Sequence, residues 1–302
     1  MGETDRSKAR RASSGVTVKA RDGTSLYYEV TGEGFAMLLL DGLACHGFIW
    51  RRLIPYFSGQ ALIIHPHYRG HGKSGRPRTP QTRIMHLVED IVMILEKEGV
   101  KETVLVGHSM GVEVALELAR LRYDLVKGLV LINGGYGKLL STFQDTDVAV
   151  HLLPLMKYFE RNYPDGVRFF WKNFPVSFSY KMALRLRQIN PILAHKQDLY
   201  VYLKHLKRVE PSVFLSLLEE MQYHDATTFL AEVSAPALII AGEKDLFTPV
   251  QLARTMASSM PNADLLVVKG ATHIAPLEIP ELVNLAIEKF MLEKCWIGSR
   301  GQ

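Results

Sequence analysis

Apolar and polar positions alternate at residues 16–20 and 26–30, on either side of the turn dipeptide Asp22-Gly23, which predicts a β-hairpin. Six continuous apolar runs follow, at 36–40, 61–65, 103–107, 128–132, 237–241 and 265–268, bounded by Gly, Pro or polar residues. Unbroken runs of that length suit strands covered on both faces, as in a parallel sheet between helical layers. Helical periodicity fills most of the gaps. Ile84, Leu87, Val88, Ile91, Ile94 and Leu95 follow i, i+3, i+4, i+7 spacing before a stop at Gly99. Val114, Leu118 and Leu121 form one stripe along the segment that begins at Met110, and 252–260 and 282–292 continue the pattern. A hairpin followed by alternating strands and helices predicts an α/β domain with a mostly parallel, eight-stranded sheet flanked by helices.

One stretch breaks the alternation. Residues 136–210 hold no strand-like run, only amphipathic pieces interrupted by Pro154, Pro164, Pro175 and Pro191. The stretch is crowded with aromatics, among them Tyr158, Phe159, Tyr163, Phe169, Phe170, Trp171, Phe174, Phe178 and Tyr180. It is expected to be a helical cap inserted between two parts of one core, 16–135 and 211–302. A basic tail, 1–15, is expected to be disordered.

At 302 residues, 47% hydrophobic and 22% charged, the chain has the composition of a globular protein with a sizeable core. Its formal charge is +5, and Arg6, Lys8, Arg10 and Arg11 against Glu3 and Asp5 account for +2 of it. The +3 left for the body is weak and scattered, which argues against a nucleic-acid partner. Cys45 and Cys295 exclude a disulfide scaffold and suit a reducing, cytoplasmic setting. No apolar run reaches the roughly 18 residues of a spanning helix, and the N-terminal residues lack the apolar stretch of a secretory leader. Arg6 stands where a myristoylated N-terminus would carry Ser or Thr.

The strongest chemical signal is Gly107-His108-Ser109-Met110-Gly111, a G-x-S-x-G element at the junction of a buried strand and a helix. Tight packing of strand, turn and helix forces the serine into a strained conformation and demands small residues at 107 and 111. The strain lifts the Ser109 hydroxyl above the strand ends, where the helix dipole favours negative charge. A serine hydroxyl needs a base to take its proton, and the base needs an orienting acid. Asp245, after the strand at 237–241, and His273, after the strand at 265–268, follow Ser109 in the required order. Glu243 is the nearest rival acid. Asn133 and Gly134, after the strand at 128–132, offer none.

With these motifs the chain resembles the α/β-hydrolase superfamily, in particular its lidded serine esterases and lipases, over roughly residues 16–292. The loop Tyr68-Arg69-Gly70-His71-Gly72-Lys73-Ser74, the Gly242-Glu243-Lys244-Asp245 turn with Thr248-Pro249, and Gly270-Ala271-Thr272-His273 add to the resemblance. It implies an α/β-hydrolase fold and an oxyanion hole formed by the backbone N–H groups of Leu43 and Met110. Here the sequence departs from the family, because Asp41-Gly42 replaces the usual His-Gly. A carboxylate aimed at the hole would repel the oxyanion, so Asp41 is expected to turn away and accept N–H groups of its loop. His46-Gly47 is a competing register, placed too far beyond the strand.

The implied activity is serine-dependent hydrolysis of carboxylic esters. A small apolar ester would be held in a pocket under the lid, with no metal or organic cofactor. Carbon–carbon bond hydrolases and thioesterases share the same triad, and non-catalytic ligand-binding or scaffold members of the fold form another class. Ser109 argues against dehalogenase and epoxide-hydrolase chemistry, which uses an aspartate there. Gly72-Lys73-Ser74 lacks the earlier glycine of a phosphate loop, and His67 stands in its place. His65, His67 and His71 lack the carboxylate and cysteine companions of a metallohydrolase. Asp90 is expected to make a helix-packing contact, and Cys45 to be a packed loop thiol. The oligomeric state has no signature in the sequence.

Overall fold

Asp22-Gly23 closes a hairpin between β1 (Ser14–Lys19) and β2 (Ser25–Thr31), with Gly23 in the left-handed region at φ +84°. This is seen in a computed structural model that describes residues 14–79, 81–142, 148–185, 190–194 and 196–295. Residues 1–13 of the expected basic tail lie outside the described residues, while its last two, Ser14 and Gly15, are not disordered but belong to β1, paired with Val30 and Glu29. The hairpin is the antiparallel edge of an eight-stranded sheet in the order β1-β2-β4-β3-β5-β6-β7-β8. The other strands are β3 (Phe35–Leu40), β4 (Ala61–His67), β5 (Thr103–His108), β6 (Val126–Ile132), β7 (Ala237–Gly242) and β8 (Ala263–Val268). β3 to β8 run parallel, and β2 pairs with β4 antiparallel.

Every residue of β5 and β7 is buried, as their unbroken apolar runs predict. Successive side chains point to opposite faces and so feed two cores. Leu38, Leu40 and Leu105 pack with α2 (Ile84–Lys97), α3 (Met110–Leu121) and α10 (Val250–Ser259). Met37, Leu39 and Val106 pack with α1 (Leu53–Phe57), α11 (Ala275–Glu278) and α12 (Pro280–Phe290). The expected helices at 84–95, 110–120, 252–260 and 282–292 are all present, displaced by two residues or fewer at most ends. The turn at Phe48–Trp50 is wholly buried and α1 buries only Leu53 and Phe57, and both elements are too short to show a helical period.

Between β6 and β7 the described residues form α4 (Leu139–Thr142), α5 (Val148–Asn162), α6 (Pro164–Asn173), α7 (Val176–Arg185), α8 (Lys196–Leu206) and α9 (Pro211–Tyr223). Pro164 and Pro211 open their helices at N1, where the missing N–H costs nothing. Val213, Leu215 and Leu217 tie α9 to the first core, and Leu199 and Leu203 tie α8 to the second.

Candidate active site

Ser109 sits between β5 and α3 at φ 56° and ψ −121°, a region L-residues rarely occupy and one that costs about 1–3 kcal/mol. Its neighbours hold it there. The Ser109 N–H donates to the Ile132 carbonyl at 3.0 Å, and the Val112 N–H donates back to the Ser109 carbonyl at 2.9 Å. A Cβ on Gly107 would lie 2.4 Å from the Gly111 carbonyl oxygen, and one on Gly111 would lie 2.1 Å from that of Leu40. Both glycines are therefore required by close backbone approach, as the motif predicts.

His273 meets Asp245 through Nδ1 and Oδ2 at 2.8 Å, so the two candidates 28 residues apart in the chain are in contact. Asp245 is the better held of the pair. Its Oδ1 accepts the N–H groups of Phe247 and Thr248 at 2.8 and 3.0 Å, and its Oδ2 accepts the Thr248 hydroxyl at 2.6 Å. Burial pushes the Asp245 carboxyl up, but the His273 charge, the His273 hydrogen bond and the Thr248 donors outweigh it and hold the carboxyl below the usual range. The rival Glu243 faces away and accepts the Gly270 N–H at 2.9 Å.

Two bracing residues were not anticipated. The Asn133 amide donates to Asp245 Oδ2 and to the Thr272 carbonyl, both at 2.8 Å, from a left-handed backbone at φ 46°. His108, expected only as the variable residue of the elbow, donates from Nε2 to the His273 carbonyl at 2.8 Å. Burial, with the nearby His273 charge, lowers His108 to about 3, so it stays neutral. The available signals were the polar residue at the end of β6 and the histidine inside the motif.

The loop after β3 approaches the serine closely. A Cβ on Gly42 would stand 3.0 Å from Ser109 Cβ. Among the described residues, the N–H groups of Leu43 and Met110 have no acceptor. Gly47, in the competing register, spends its N–H on Asp41 Oδ2 at 3.0 Å. Asp41 thus accepts a loop N–H, as expected, and also pairs with His65 Nε2 at 2.8 Å.

Ser109, His273, Gly42 and Leu43 line one cavity of about 500 Å³, walled by Phe174, Phe178, Tyr202 and Met221. A second cavity of about 190 Å³, lined by Leu139, Leu140, Ala149 and Thr248, also reaches Ser109. Leu218, Met221 and Phe247 line both. Among the described residues, neither lining contains Asp, Glu, Lys or Arg. A wider, open depression of about 750 Å³ between α1 and α12 holds none of the candidates and is edged by charges of both signs.

Other sequence features have structural partners. Asp90 forms a two-point ion pair with Arg69, which also reaches Asp22 at 2.9 Å. His71 donates from Nδ1 to the Arg69 carbonyl and accepts the Ala44 N–H, tying two loops together. Cys45 and Cys295 are buried and unpaired. Among the described residues one group, Glu29, His65 and His67, brings possible metal donors within 4.8 Å of one another. Its chemistry does not suit a metal. His67 Nδ1 accepts the Lys73 N–H at 3.0 Å, so in the neutral ring Nε2 carries the proton and has no lone pair to give. The Lys73 ammonium already occupies Glu29 at 3.1 Å.

A family model described as the alpha/beta hydrolase fold matches residues 36–280. "Putative carbamate hydrolase RutD" of Caulobacter vibrioides is 25% identical over 281 residues, covering 91% of this chain and 98% of its own length. A thermophilic esterase from Thermogutta terrifontis superposes with a TM-score of 0.75 at 23% identity, over 94% of this chain and all of its own. The enol-lactonase of Burkholderia xenovorans LB400 gives 0.76 at 18% identity, over 92% of this chain and all of its own.

Proposed function

The chain belongs to the alpha/beta hydrolase fold family, and from that premise we propose that it is a serine hydrolase of carboxylic esters. The contact that carries the reading is His273 Nδ1 to Asp245 Oδ2, beside the cavity that His273 shares with Ser109. Engagement of Nδ1 fixes the tautomer and leaves Nε2 as the base.

Ser109 Oγ attacks the acyl carbon while His273 Nε2 takes its proton. The carbonyl oxygen becomes an oxyanion facing the Leu43 and Met110 N–H groups, which α3 and the β3 loop leave without other acceptors. Collapse breaks the ester C–O bond, and the imidazolium returns the proton to the departing alcohol. Water, deprotonated by the same nitrogen, then releases the acid from Ser109. Asp245 stays ionised throughout and stabilises the imidazolium.

The two cavities meeting at Ser109 support a substrate with an apolar arm on each side of the ester, the larger near 500 Å³ and the smaller near 190 Å³. The uncharged side chains that line them among the described residues favour a neutral molecule. Residues 136–210 act as the cap, supplying Phe174, Phe178 and Met182 to the wall and excluding water. Two free thiols support a reducing, cytoplasmic setting, and no described helix is long and apolar enough to cross a membrane.

The test is turnover of a panel of uncharged nitrophenyl esters of increasing acyl length, with a thioester, a lactone and a carbamate alongside. Ester turnover is expected to lead the panel and to fall by roughly 10⁴-fold or more in Ser109→Ala. Equal rates in wild type and the alanine variant would remove Ser109 from the mechanism.

A further inference from the structure

The helices between β6 and β7 also carry an outward surface that ester hydrolysis leaves unexplained. From the start of α5 to the end of α8, residues 148–206 hold nine Lys and Arg against three Asp and Glu, a net +6. The whole chain is +5, so the remainder is net −1. The positive excess is therefore concentrated in one segment rather than scattered. Arg161, Lys172, Lys181 and Arg185 are exposed and form no ion pair with another described residue.

The same segment exposes apolar side chains. Twelve of the nineteen large hydrophobic residues exposed among the described residues lie in 148–206. Phe169 and Phe170 are 72% and 64% exposed, and α5 buries Leu153 alone. A row of rings links this surface to the cavity wall. Phe170 meets Phe174 at 5.1 Å between centroids, and Phe174 meets Phe178 at 5.4 Å. Phe178 and Met182 are at once exposed and part of the cavity lining at Ser109.

We propose that this face docks on an anionic lipid surface with the cavity mouth toward the bilayer. Cations beside exposed aromatic and aliphatic side chains match the two layers of such a surface, phosphate and carboxylate headgroups above an acyl boundary. A polynucleotide would satisfy the cations but would have no use for Leu152, Leu155 or Ile192. The faintly negative remainder of the molecule is repelled by the same surface, which orients the docked protein.

Sedimentation of the full chain with vesicles reads the docking without reference to turnover. One set is phosphatidylcholine alone, the other an equal mixture of phosphatidylcholine and phosphatidylserine. Wild type and Ser109→Ala are both expected to sediment with the mixed vesicles, to ignore the neutral ones and to be released by high salt. Lys172→Gln with Arg185→Gln should lower partition about twenty-five-fold, since each surface-adjacent cation contributes about five-fold. Phe169→Glu should lower it as well, with hydrolysis of a soluble ester and the melting temperature unchanged. Absence of binding, equal binding to both vesicle types, or binding indifferent to Phe169→Glu would overturn the proposal. Binding lost in Arg10→Ala with Arg11→Ala alone would assign it to the tail and overturn it too. So would a dimer that Phe169→Glu converts to monomer, with no vesicle binding in either. An inactive chain that still docks would sink only the esterase reading.

Discussion

Asp41 shows how far one residue can be understood from sequence. That it would have to avoid the proposed oxyanion follows from charge alone, and the Gly47 N–H it accepts is the kind of local partner a turn supplies. Its second partner, His65, lies on β4 and reaches it only because β3 and β4 pair. Burial pushes the Asp41 carboxyl up and the His65 imidazole down. Their mutual attraction and hydrogen bond prevail, leaving Asp41 below its ordinary 3.8 and His65 above its ordinary 6.5. The stabilisation from Asp41 is complete above 3.8 and fades as pH falls through the lower folded value. That from His65 is complete below 6.5 and fades as pH rises through the higher folded value. Asp41→Asn should therefore lower the melting temperature most between these limits, by the equivalent of about 3 kcal/mol for a buried pair that loses one member. Thermal melts across that range measure it. A large gain in kcat instead would mean that the Asp41 charge opposes the reaction.

At the scale of elements, β5, the turn at Ser109 and α3 were readable because their constraint is local. A strand and a helix cannot be packed this closely around bulky residues, and the two glycines record it. The braces of Asp245 and His273 were not readable in the same way. Asn133 works across the ends of β6, β7 and β8, and its value depends on which strands become neighbours. Gly111→Ala tests the local part. Its Cβ would meet the Leu40 oxygen at 2.1 Å and the Asp41 oxygen at 2.9 Å, both main-chain atoms that cannot step aside. The expected outcome is a loss of about 1–3 kcal/mol in stability together with most of the activity, because α3 and the β3 loop are pushed apart beside Ser109. Gly99→Ala is the control. It also has a positive φ, +68°, but nothing lies within 4 Å, so it should cost about 1 kcal/mol and leave turnover alone. If thermal melts and ester assays rank the two variants alike, close approach is not what the elbow glycines serve.

For the molecule as a whole, alternation along the chain predicts the layers of helix and sheet, but the way the helical segment meets the sheet depends on contacts no period reveals. One of them is a stack of two histidines, His46 on the loop after β3 and His205 on α8, with ring centroids 3.3 Å apart. Two imidazolium rings would repel each other at that distance. Burial and the opposing His205 charge lower His46 to about 3; burial and Arg208 lower His205 to about 4. His67, lowered to about 4 by burial and by His65, and His108, lowered to about 3, join them. Above pH 6.5 all four are neutral whether the chain is folded or not, and they contribute no pH dependence. Below it the unfolded chain binds protons that the folded one refuses, so stability must fall as pH drops from 6.5 toward 4. His65 adds nothing to this loss, because its folded form already carries the proton. His71, lowered by burial as well, adds a fifth, so denaturant titrations over that interval should show uptake of up to five histidine protons on unfolding, together with those that Asp41 and Asp245 add near the lower end. His46→Gln should remove about one of them. Because the stack joins the β3 loop to α8, acid should part the helical segment from the sheet first, and ester turnover should fail before the sheet melts. Simultaneous loss of turnover and far-ultraviolet dichroism, with no change in the proton count for His46→Gln, would show that the stack does not hold the two parts together.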